Sequence, residues 1–317
     1  MIERYRHVLR PQINKMKTMK IKQLLITFVG LLAINTMFAQ ANILNAKIPE
    51  EIGMKTEAEF LLDNDKPLEY GYVGDRDILF SKIIWENVVL DERANFPLYF
   101  PIDTNNIGKD RRSLYHVLMD NINSGMISKV YSDSYFTNEL TQKDLMASMT
   151  KTDTLDVGYD QFNADGYIDP EYITTRNIEA FDIKSYLIKG MWYFDKRQGE
   201  MKYRILALAP AAPDVNFIDS EDEANKEPIG LFWVFVPEIR DILHESKAFN
   251  NKNSAVPISF DHLLNSHRFH GLIYKEENVY GDREVKEYIA ENALMQLLES
   301  ERIKDKIRNF EQDMWSY

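Results

Sequence analysis

Three neighbouring histidines are the side chains in this sequence best suited to bind a transition metal. His262, His267 and His270 lie at positions i, i+5 and i+8. Two metal ligands on one helix are normally three or four residues apart, because the 3.6-residue turn places those positions on one face. A spacing of five directs the first two imidazoles apart. We therefore interpret all three as surface or partly buried side chains, and expect His267 and His270 on or beside a strand.

One segment has part of the pattern of a phosphate-binding loop. Such a loop needs a glycine-rich turn that ends in Gly-Lys-Ser/Thr, so that backbone amides surround the phosphates. Gly108-Lys109 is followed by Asp110, and Asp103 occupies the position of the first glycine. The segment is therefore interpreted as an ordinary loop, and no nucleotide-binding residue is predicted.

A second segment, QFNADGYIDPEY, has part of the pattern of a calcium-binding loop. Asn163, Asp165 and Gly166 occur in the expected order. In that register Gln161 takes the first ligand position and Tyr172 the twelfth, where a bidentate glutamate is required. The residues favour an Asn/Asp/Gly turn over a cation site.

The remaining polar and aromatic residues do not select a catalytic site. Aspartate and glutamate together number 50, and no pair is distinguished as an acid–base dyad. Cysteine is absent, which excludes disulfides and thiolate chemistry. No catalytic, cofactor-binding or metal-binding residue is predicted. Aromatic side chains crowd two apolar runs near Trp192 and Trp233 and are mostly expected in the core. Trp233 and Trp315 are candidate interface residues.

The N-terminus has the pattern of a secretory signal peptide at residues 1–39. Four lysines between residues 15 and 22 precede a 16-residue apolar run, and the small residues Ala39 and Ala41 follow at plausible cleavage positions. A transmembrane helix would need about 20 apolar residues, and this run contains Asn35. Export to the periplasm is expected. Met1, Met16 and Met19 remain alternative initiators.

The expected mature chain is strongly acidic. Seven of the 38 basic residues and one of the 50 acidic residues lie within residues 1–39, which leaves a net charge of −18. Such a charge disfavours nucleic acid and anionic membrane surfaces as partners. A protein of this kind at an envelope would be held there by other proteins, without inserting into the membrane itself.

Residues 40–75 are predicted to form an extended N-terminal arm. They are polar, with scattered apolar positions and no sustained period. The apolar triplet Phe60, Leu61 and Leu62 is a candidate interface, because an isolated arm cannot bury enough surface to offset the entropy lost on ordering. Docking on a neighbouring subunit or partner, and a disordered leader, are both compatible with this composition.

The N-terminal half of the domain is predicted at residues 76–180. Apolar spacing over residues 75–91 predicts a helix, and prolines bound a short edge strand in ANFPLYFP. Helices are expected at 113–122 and 140–149, with a strand in GMISKVYS between them. Residues 151–180 are polar and rich in turn residues, which is typical of a linker or an ordered surface excursion.

The C-terminal half is predicted at residues 181–317. Apolar alternation around Gly190 and a returning strand at 201–209 predict a hairpin whose turn is residues 196–199. A further strand is expected in IGLFWVFVP, followed by a helix that starts at Pro237. Ser259 is expected to cap the next helix, before a strand in RFHGLIYKE. Residues 283–314 are predicted to be helical, with a break near Ser300.

These elements indicate an α+β fold. An antiparallel sheet is centred on the long hairpin at about 185–209, helices pack around it, and a long helical segment ends the chain. Both halves show asparagine, proline, a helix with paired apolar residues and then a glycine-containing strand. That shared order suggests an ancient duplication and two related halves.

Several stretches resemble the GldN/PorN family of gliding-motility and type IX secretion proteins. The stretches that carry the resemblance are DILFSKIIWENVVLDERANFPLYFP, SYLIKGMWYFDKRQGEMKYRILALAP, PIGLFWVFVPEIRDIL, FNNKNSAVPISFDHLL, RFHGLIYKEENVY and NFEQDMWSY. Together they extend from about residue 77 to the C-terminus. The arm is the part least alike.

The resemblance implies a non-enzymatic periplasmic subunit. It implies self-association in a ring, assembly with an outer-membrane ring lipoprotein of the same system, and contact with the periplasmic shaft protein of an inner-membrane motor. It carries no catalytic motif and no cofactor. Two alternatives remain at this stage: a periplasmic hydrolase that uses an Asp/Glu pair, and a cell-wall glycan-binding module. A concave pocket with convergent carboxylates would favour the former, and exposed planar aromatics along a groove the latter.

Overall fold

The strongest β pattern in the sequence folds as the predicted central hairpin of an antiparallel sheet. A computed structural model describes residues 66–103, 112–218, 222, 226–249, 258–290 and 292–315. The strands are β1 (Ile78–Val89), β2 (Val130–Tyr131), β3 (Glu139–Leu140), β4 (Thr150–Thr154), β5 (Ile173–Asn177), β6 (Ser185–Asp195), β7 (Glu200–Ala212), β8 (Ile229–Gly230), β9 (Val234–Phe235), β10 (Lys247–Ala248), β11 (Ile258–Ser259) and β12 (Leu272–Glu276). The main sheet has the order β12-β1-β6-β7-β8, and β9 also pairs with β7.

Helices and short helical turns surround this sheet. The α-helices are α1 (Phe96–Tyr99), α2 (Leu114–Asn123), α3 (Gln142–Ser148), α4 (Asp156–Asp165), α5 (Arg240–Glu245), α6 (Phe260–Asn265), α7 (Val285–Tyr288) and α8 (Ala293–Trp315). The predicted α+β class is confirmed. Strands from both halves interleave, since β12 pairs with β1 and β1 pairs with β6. One sheet therefore contains strands from both sides of the boundary predicted near residue 180.

The prediction of a helix over residues 75–91 is wrong, because most of this segment is strand β1. β1 is flanked by β6 on one side and β12 on the other. Ile84, Trp85, Glu86 and Val88 are all buried, so the strand is covered on both faces. A strand buried on both faces shows no apolar–polar alternation, and its apolar run then matches a helical stripe equally well.

The β6–β7 hairpin has the predicted turn. Pairing runs from Ser185 opposite Ala211 to Asp195 opposite Glu200. Gly199 has φ of 66°, a left-handed conformation that glycine adopts without steric cost. A register shift follows Lys189. A β-carbon at Gly190 would lie 2.2 Å from the Tyr203 hydroxyl, so this position has room only for glycine.

The serine cap predicted at Ser259 is present, and the structure shows a second serine cap at Ser113. Ser113 Oγ accepts a hydrogen bond from the His116 amide at the start of α2, and Ser259 Oγ accepts one from the His262 amide at the start of α6. In contrast, ANFPLYFP is not an edge strand. It forms the single turn α1, because Pro97 lies at the start of the helix, where its missing N–H is not needed.

Two predicted strands are shorter in the structure than their apolar runs. In GMISKVYS the strand is Val130–Tyr131, and in IGLFWVFVP the strands are the two-residue β8 and β9. Trp233 adds a single antiparallel bridge to Tyr131. Residues 151–180, predicted as a linker or an ordered excursion, are an ordered excursion. β4 and β5 pair antiparallel from Thr150–Asn177 to Thr154–Ile173, and α4 connects them.

The helical C-terminal segment breaks earlier than predicted. α7 ends at Tyr288, and α8 runs without interruption through Ser300. Ser300 is buried and its Oγ accepts a hydrogen bond of 2.9 Å from the Ile273 amide, so this serine joins α8 to β12. Ile303 and Ile307 are buried against the sheet, and Phe310 stacks on Phe80 at 4.3 Å between ring centroids.

Candidate interaction surfaces

The excursion, residues 150–177, is a small unit held together by its own contacts. Gly158 of α4 is buried, and a β-carbon there would lie 2.8 Å from Thr154 Cγ2 and 2.9 Å from Tyr172 Cβ. The helix therefore approaches its own hairpin so closely that only glycine fits at the contact. Gln161 adds two hydrogen bonds of 3.0 Å to Asp169, one to its side chain and one from its amide.

The outer surface of the excursion is unusually apolar. Its large exposed apolar side chains are Leu155, Val157, Tyr159, Phe162, Tyr167 and Ile173. Leu155, Tyr159 and Phe162 follow one another at i, i+4 and i+7, which places them on one stripe along α4. An exposed apolar cluster of this size, rimmed by polar residues, is typical of a protein–protein contact site.

The excursion is also acidic. It contains six carboxylates and two basic residues. Both basic residues have an acidic neighbour: Lys151 pairs with Asp153 at 2.7 Å and Arg176 with Asp182 at 3.4 Å. Asp156 and Asp160 are four residues apart and form a charged stripe beside the apolar one. A partner for this surface should therefore be basic as well as apolar.

The segment that resembled a calcium loop closes helix α4. Gly166 adopts a left-handed conformation with φ of 78°, and its amide donates to the Phe162 carbonyl at 2.9 Å. This arrangement is a helix C-cap. Among the residues that the structure describes, no group of three or more histidine, aspartate or glutamate side chains is arranged to hold a metal ion.

Residues 66–74 form a strap that crosses the turn end of the β6–β7 hairpin, which is the end away from the excursion. Tyr70 anchors it: the ring lies 4.4 Å from the Arg204 guanidinium and 4.0 Å from that of Arg240. The Tyr70 hydroxyl donates to Asn265 Oδ1 at 2.6 Å. Burial is the main cause that raises the pKa of this phenol. Arg204 also donates to the Gly71 carbonyl at 3.2 Å, so the backbone of the strap is held as well.

A basic groove of about 630 Å³ lies between the strap and the hairpin. Four cationic residues line it, Arg197, Lys202, Arg204 and Arg240, and two carboxylates, Glu69 and Asp195, also lie on its wall. Arg240 makes a two-point ion pair with Asp261 at 2.8 and 3.0 Å, and Arg197 lies near Asp77 and Asp195.

Arg204 differs from these two arginines in its partners. Its hydrogen bonds go to a carbonyl and to the Tyr193 hydroxyl. Within residues 66–103, 112–218, 222, 226–249, 258–290 and 292–315, neither Arg204 nor Lys202 forms an ion pair with a carboxylate. The groove therefore has positive charge available for an acidic partner.

A buried carboxylate lies on the other side of the sheet, beneath helix α8. Glu86 is 1% exposed, and its Oε2 lies 3.1 Å from His267 Nε2 and accepts a hydrogen bond of 3.3 Å from the Tyr203 hydroxyl. Burial, and next the charge of Glu86, raise the pKa of Tyr203. A cavity of about 250 Å³ adjoins this cluster. Five apolar side chains line it together with Glu86, His267, Lys304, Arg308 and Glu311.

The Glu86 cluster is arranged as a structural polar network. Both hydrogen bonds involve the same carboxylate oxygen, and the aromatic rings of Trp192 and Phe269 enclose His267 at centroid distances of 5.5 and 4.3 Å. Such a network orients β1, β7 and the α6–β12 connection relative to one another.

Trp85 points to the opposite face of the sheet from Glu86. Lys189 and Lys275, on the neighbouring strands, lie 4.9 and 4.8 Å from its ring. Lys189 Nζ donates to the Ser134 carbonyl at 3.0 Å, and burial lowers the pKa of this lysine. The same two lysines lie 4.5 and 5.1 Å from the Tyr135 ring, and these cation–π contacts join the segment after β2 to the centre of the sheet.

The three candidate histidines have separate partners. His267 contacts Glu86, and His270 Nδ1 contacts Glu92. The His262 amide is held by the Ser259 cap. His267 and His270 lie in the connection before β12, beside a strand as predicted.

The predicted interface residues differ in how much of each side chain is accessible. Trp315 is 70% exposed at the end of α8, whereas Trp233 is 7% exposed and packs with Trp85 and two alanines of β7. Partner contact at either tryptophan stays a prediction. Trp233 has almost no surface available for it. Ala39, Ala41, Phe60, Leu61 and Leu62 lie outside the described residues.

Sequence reasoning missed the features that stand out most on the surface. No local pattern singles out Tyr70 or Arg204, although the EYGYVG stretch is dense in aromatic residues. The acidic and aromatic residues between 153 and 172 show only the pattern of turns in the sequence. Among the described residues, no helix is long and apolar enough to cross a membrane.

Two comparisons with known proteins give one match. A family model for GldN, described as gliding motility associated protein GldN, matches residues 73–316 and so covers every strand and helix described above. A search of the curated proteins finds no match.

Proposed function

Because the chain belongs to the GldN family of gliding motility associated proteins, we propose that it is a non-enzymatic scaffold of the type IX secretion and gliding machinery. In this proposal it resides in the periplasm and is held at the outer membrane by a ring lipoprotein. It also contacts the periplasmic shaft protein of the inner-membrane motor.

The exposed apolar stripe of the excursion carries this proposal. A secreted monomer with no partner would leave Leu155, Tyr159 and Phe162 in water at a cost in solubility. The other prominent polar sites, around Glu86 and Trp85, join elements of the fold. A connecting subunit requires surfaces for association, and buried polar contacts that hold its elements in place.

Isolation from the envelope of a gliding bacterium tests the proposal. A tagged chain, extracted from the outer-membrane fraction in mild detergent, should co-purify with a lipoprotein in constant ratio and appear as large particles by electron microscopy. The Ala39→Arg, Ala41→Arg double variant is the matched control. It should accumulate as an unprocessed precursor and recover no lipoprotein. Recovery of the wild-type chain as a free monomer in the soluble periplasmic fraction would contradict the proposal.

A periplasmic hydrolase is the second candidate, because Glu86 and Glu311 line one cavity. Glu86→Gln keeps the size of the side chain and removes its charge. If the chain is a scaffold, this variant should assemble and support secretion and gliding once folding is verified. A folded, assembled but inactive Glu86→Gln variant would favour the hydrolase.

A further inference from the structure

We infer that copies of this chain associate head to tail, with the excursion of one copy seated on the basic groove of the next. The inference rests on the proposed scaffold function and assigns the surfaces through which the scaffold extends. The excursion and the groove of one chain lie at opposite ends of the sheet, so they cannot pair with each other.

The excursion supplies an apolar stripe beside an acidic one. Leu155, Tyr159 and Phe162 form the first stripe, and Asp156 and Asp160 the second. The closely packed contact at Gly158 holds α4 on its hairpin, so both stripes are presented on a preformed unit. A preformed surface loses less conformational entropy on binding than an extended segment does.

The groove supplies the complementary features. Lys202 and Arg204 place positive charge along it that no carboxylate of the described residues neutralises in an ion pair. Its strap side carries Leu68 and Tyr72, which are 82% and 85% exposed. An acidic and apolar unit therefore meets a basic and apolar groove, and complementary charge favours this pairing over association of two acidic surfaces.

The two surfaces lie at opposite ends of the sheet. The excursion joins the domain at Ile178, a few residues before β6 begins at Ser185, whereas the groove contains Asp195 and Arg197 at the far end of that strand. At about 3.3 Å per residue, ten residues of strand separate these ends by roughly 33 Å. Contact between unlike surfaces at opposite ends is heterologous, and it produces a closed ring or an open filament.

Two charge-reversal variants test the inference. The excursion variant carries Asp156→Lys and Asp160→Lys, and the groove variant carries Lys202→Glu and Arg204→Glu. The full chain is purified in each form, and its melting curve verifies folding. Since Arg204 also holds the strap, Lys202→Glu alone serves as a milder groove variant. A control carries Lys306→Glu and Arg308→Glu on α8, which is the same charge change away from the groove.

Sedimentation velocity over a range of concentrations should show wild-type self-association that weakens as salt is added. Each two-site variant should associate at least 10-fold more weakly, and the α8 control should behave as the wild type. A mixture of the excursion and groove variants should assemble beyond dimers, because both kinds of contact are then complementary. The unchanged excursion fits the unchanged groove, and the reversed excursion fits the reversed groove. All four substitutions in one chain should restore assembly by exchanging the charges.

Several results would overturn the inference. These are a wild-type chain that stays monomeric, single-surface variants that assemble like the wild type, or a mixture of the two variants that stays monomeric. Normal self-assembly of the groove variant with loss of the lipoprotein would assign the groove to that partner and leave the scaffold function intact. Absence of the lipoprotein from wild-type envelope preparations would instead count against the proposed function.

Discussion

The chain contains two β-hairpins that differ in nearly every physical respect. In β6–β7 most side chains are buried, and the hairpin pairs with β1 on one side and β8 and β9 on the other. In β4–β5 no side chain is buried, and the hairpin forms a two-stranded sheet of its own. An isolated two-stranded hairpin is marginal in water, so β4–β5 depends on α4 for its shape.

The two hairpins therefore contribute to different properties, β6–β7 to the stability of the fold and β4–β5 to a surface for association. Burial in β6–β7 supplies the hydrophobic free energy that holds the fold together. The excursion contributes little to that core and exposes apolar surface that a second molecule can cover. If this division holds, substitutions in the two hairpins should affect different measurements.

The largest expected effect comes from truncating a core side chain of β6. Ile188 is fully buried in the main core, and Ile188→Ala should reduce the free energy of unfolding by about 2–5 kcal/mol through lost burial and the cavity that remains. Ile173→Ala in β5 is the matched control and should change it by less than about 0.5 kcal/mol. Denaturant unfolding measures both, and equal losses would break the comparison.

The next effect comes from the contact between Gly190 and Tyr203. Gly190→Ala should destabilise the fold by about 1–3 kcal/mol, because the added methyl group overlaps the phenol ring. In a Tyr203→Ala background the same substitution should cost much less, a coupling that a double-mutant cycle detects. Gly71→Ala has no atom within 4 Å of the added carbon and is the control. An equal cost in both backgrounds would refute the steric explanation.

Gly158→Ala should produce a local effect only. The added methyl group would push α4 away from Thr154 and Tyr172, so hydrogen-exchange protection in residues 150–177 should fall while the global unfolding transition stays within about 0.5 kcal/mol of the wild type. A global loss as large as that of Gly190→Ala would show that the excursion is part of the cooperative core.

The smallest expected effect is a pH response confined to the main domain. Burial lowers the pKa of His116, at the start of α2, below 6.5. As pH falls through 6.5 the unfolded chain gains a proton that the folded chain does not, so the free energy of unfolding decreases until the folded state is protonated too.

His116→Gln should show a smaller decrease between pH 7.5 and 5.5 than the wild type. The other five histidines are the same in both proteins, so the difference between them isolates His116. The excursion contains no histidine, and its local opening should not change over this range. The same slope in both proteins would exclude His116 as the cause.

How far the sequence predicts this structure depends on which forces act at each position. The β6–β7 turn and the caps at Ser113 and Ser259 were predictable, because their geometry is encoded within a few residues. The strand character of β1 was not, since both of its faces are covered by parts of the chain far away in sequence. Local apolar spacing cannot distinguish such a strand from a helix.

The candidate surfaces were predictable to a smaller extent. Acidic and aromatic residues in the excursion are visible in the sequence, but their exposure follows from how α4 packs at Gly158. Tyr70 and Arg204 are 134 positions apart, and no local pattern links them. The contact between Glu86 and His267 likewise requires the sheet register and the position of the α6–β12 connection.

The position of β1 determines how the molecule responds to tension. A pull applied at Lys66 passes through the strap to Ile78, where β1 begins. β1 is hydrogen-bonded along both edges. When the opposing force acts at the excursion, beyond the other end of β6, the force runs parallel to the strands. The sheet is then loaded in shear, and the hydrogen bonds along β1 share the force together instead of opening one after another. The unfolding rate under force sets how long a loaded protein survives, and this geometry slows it along the line from the strap to the excursion.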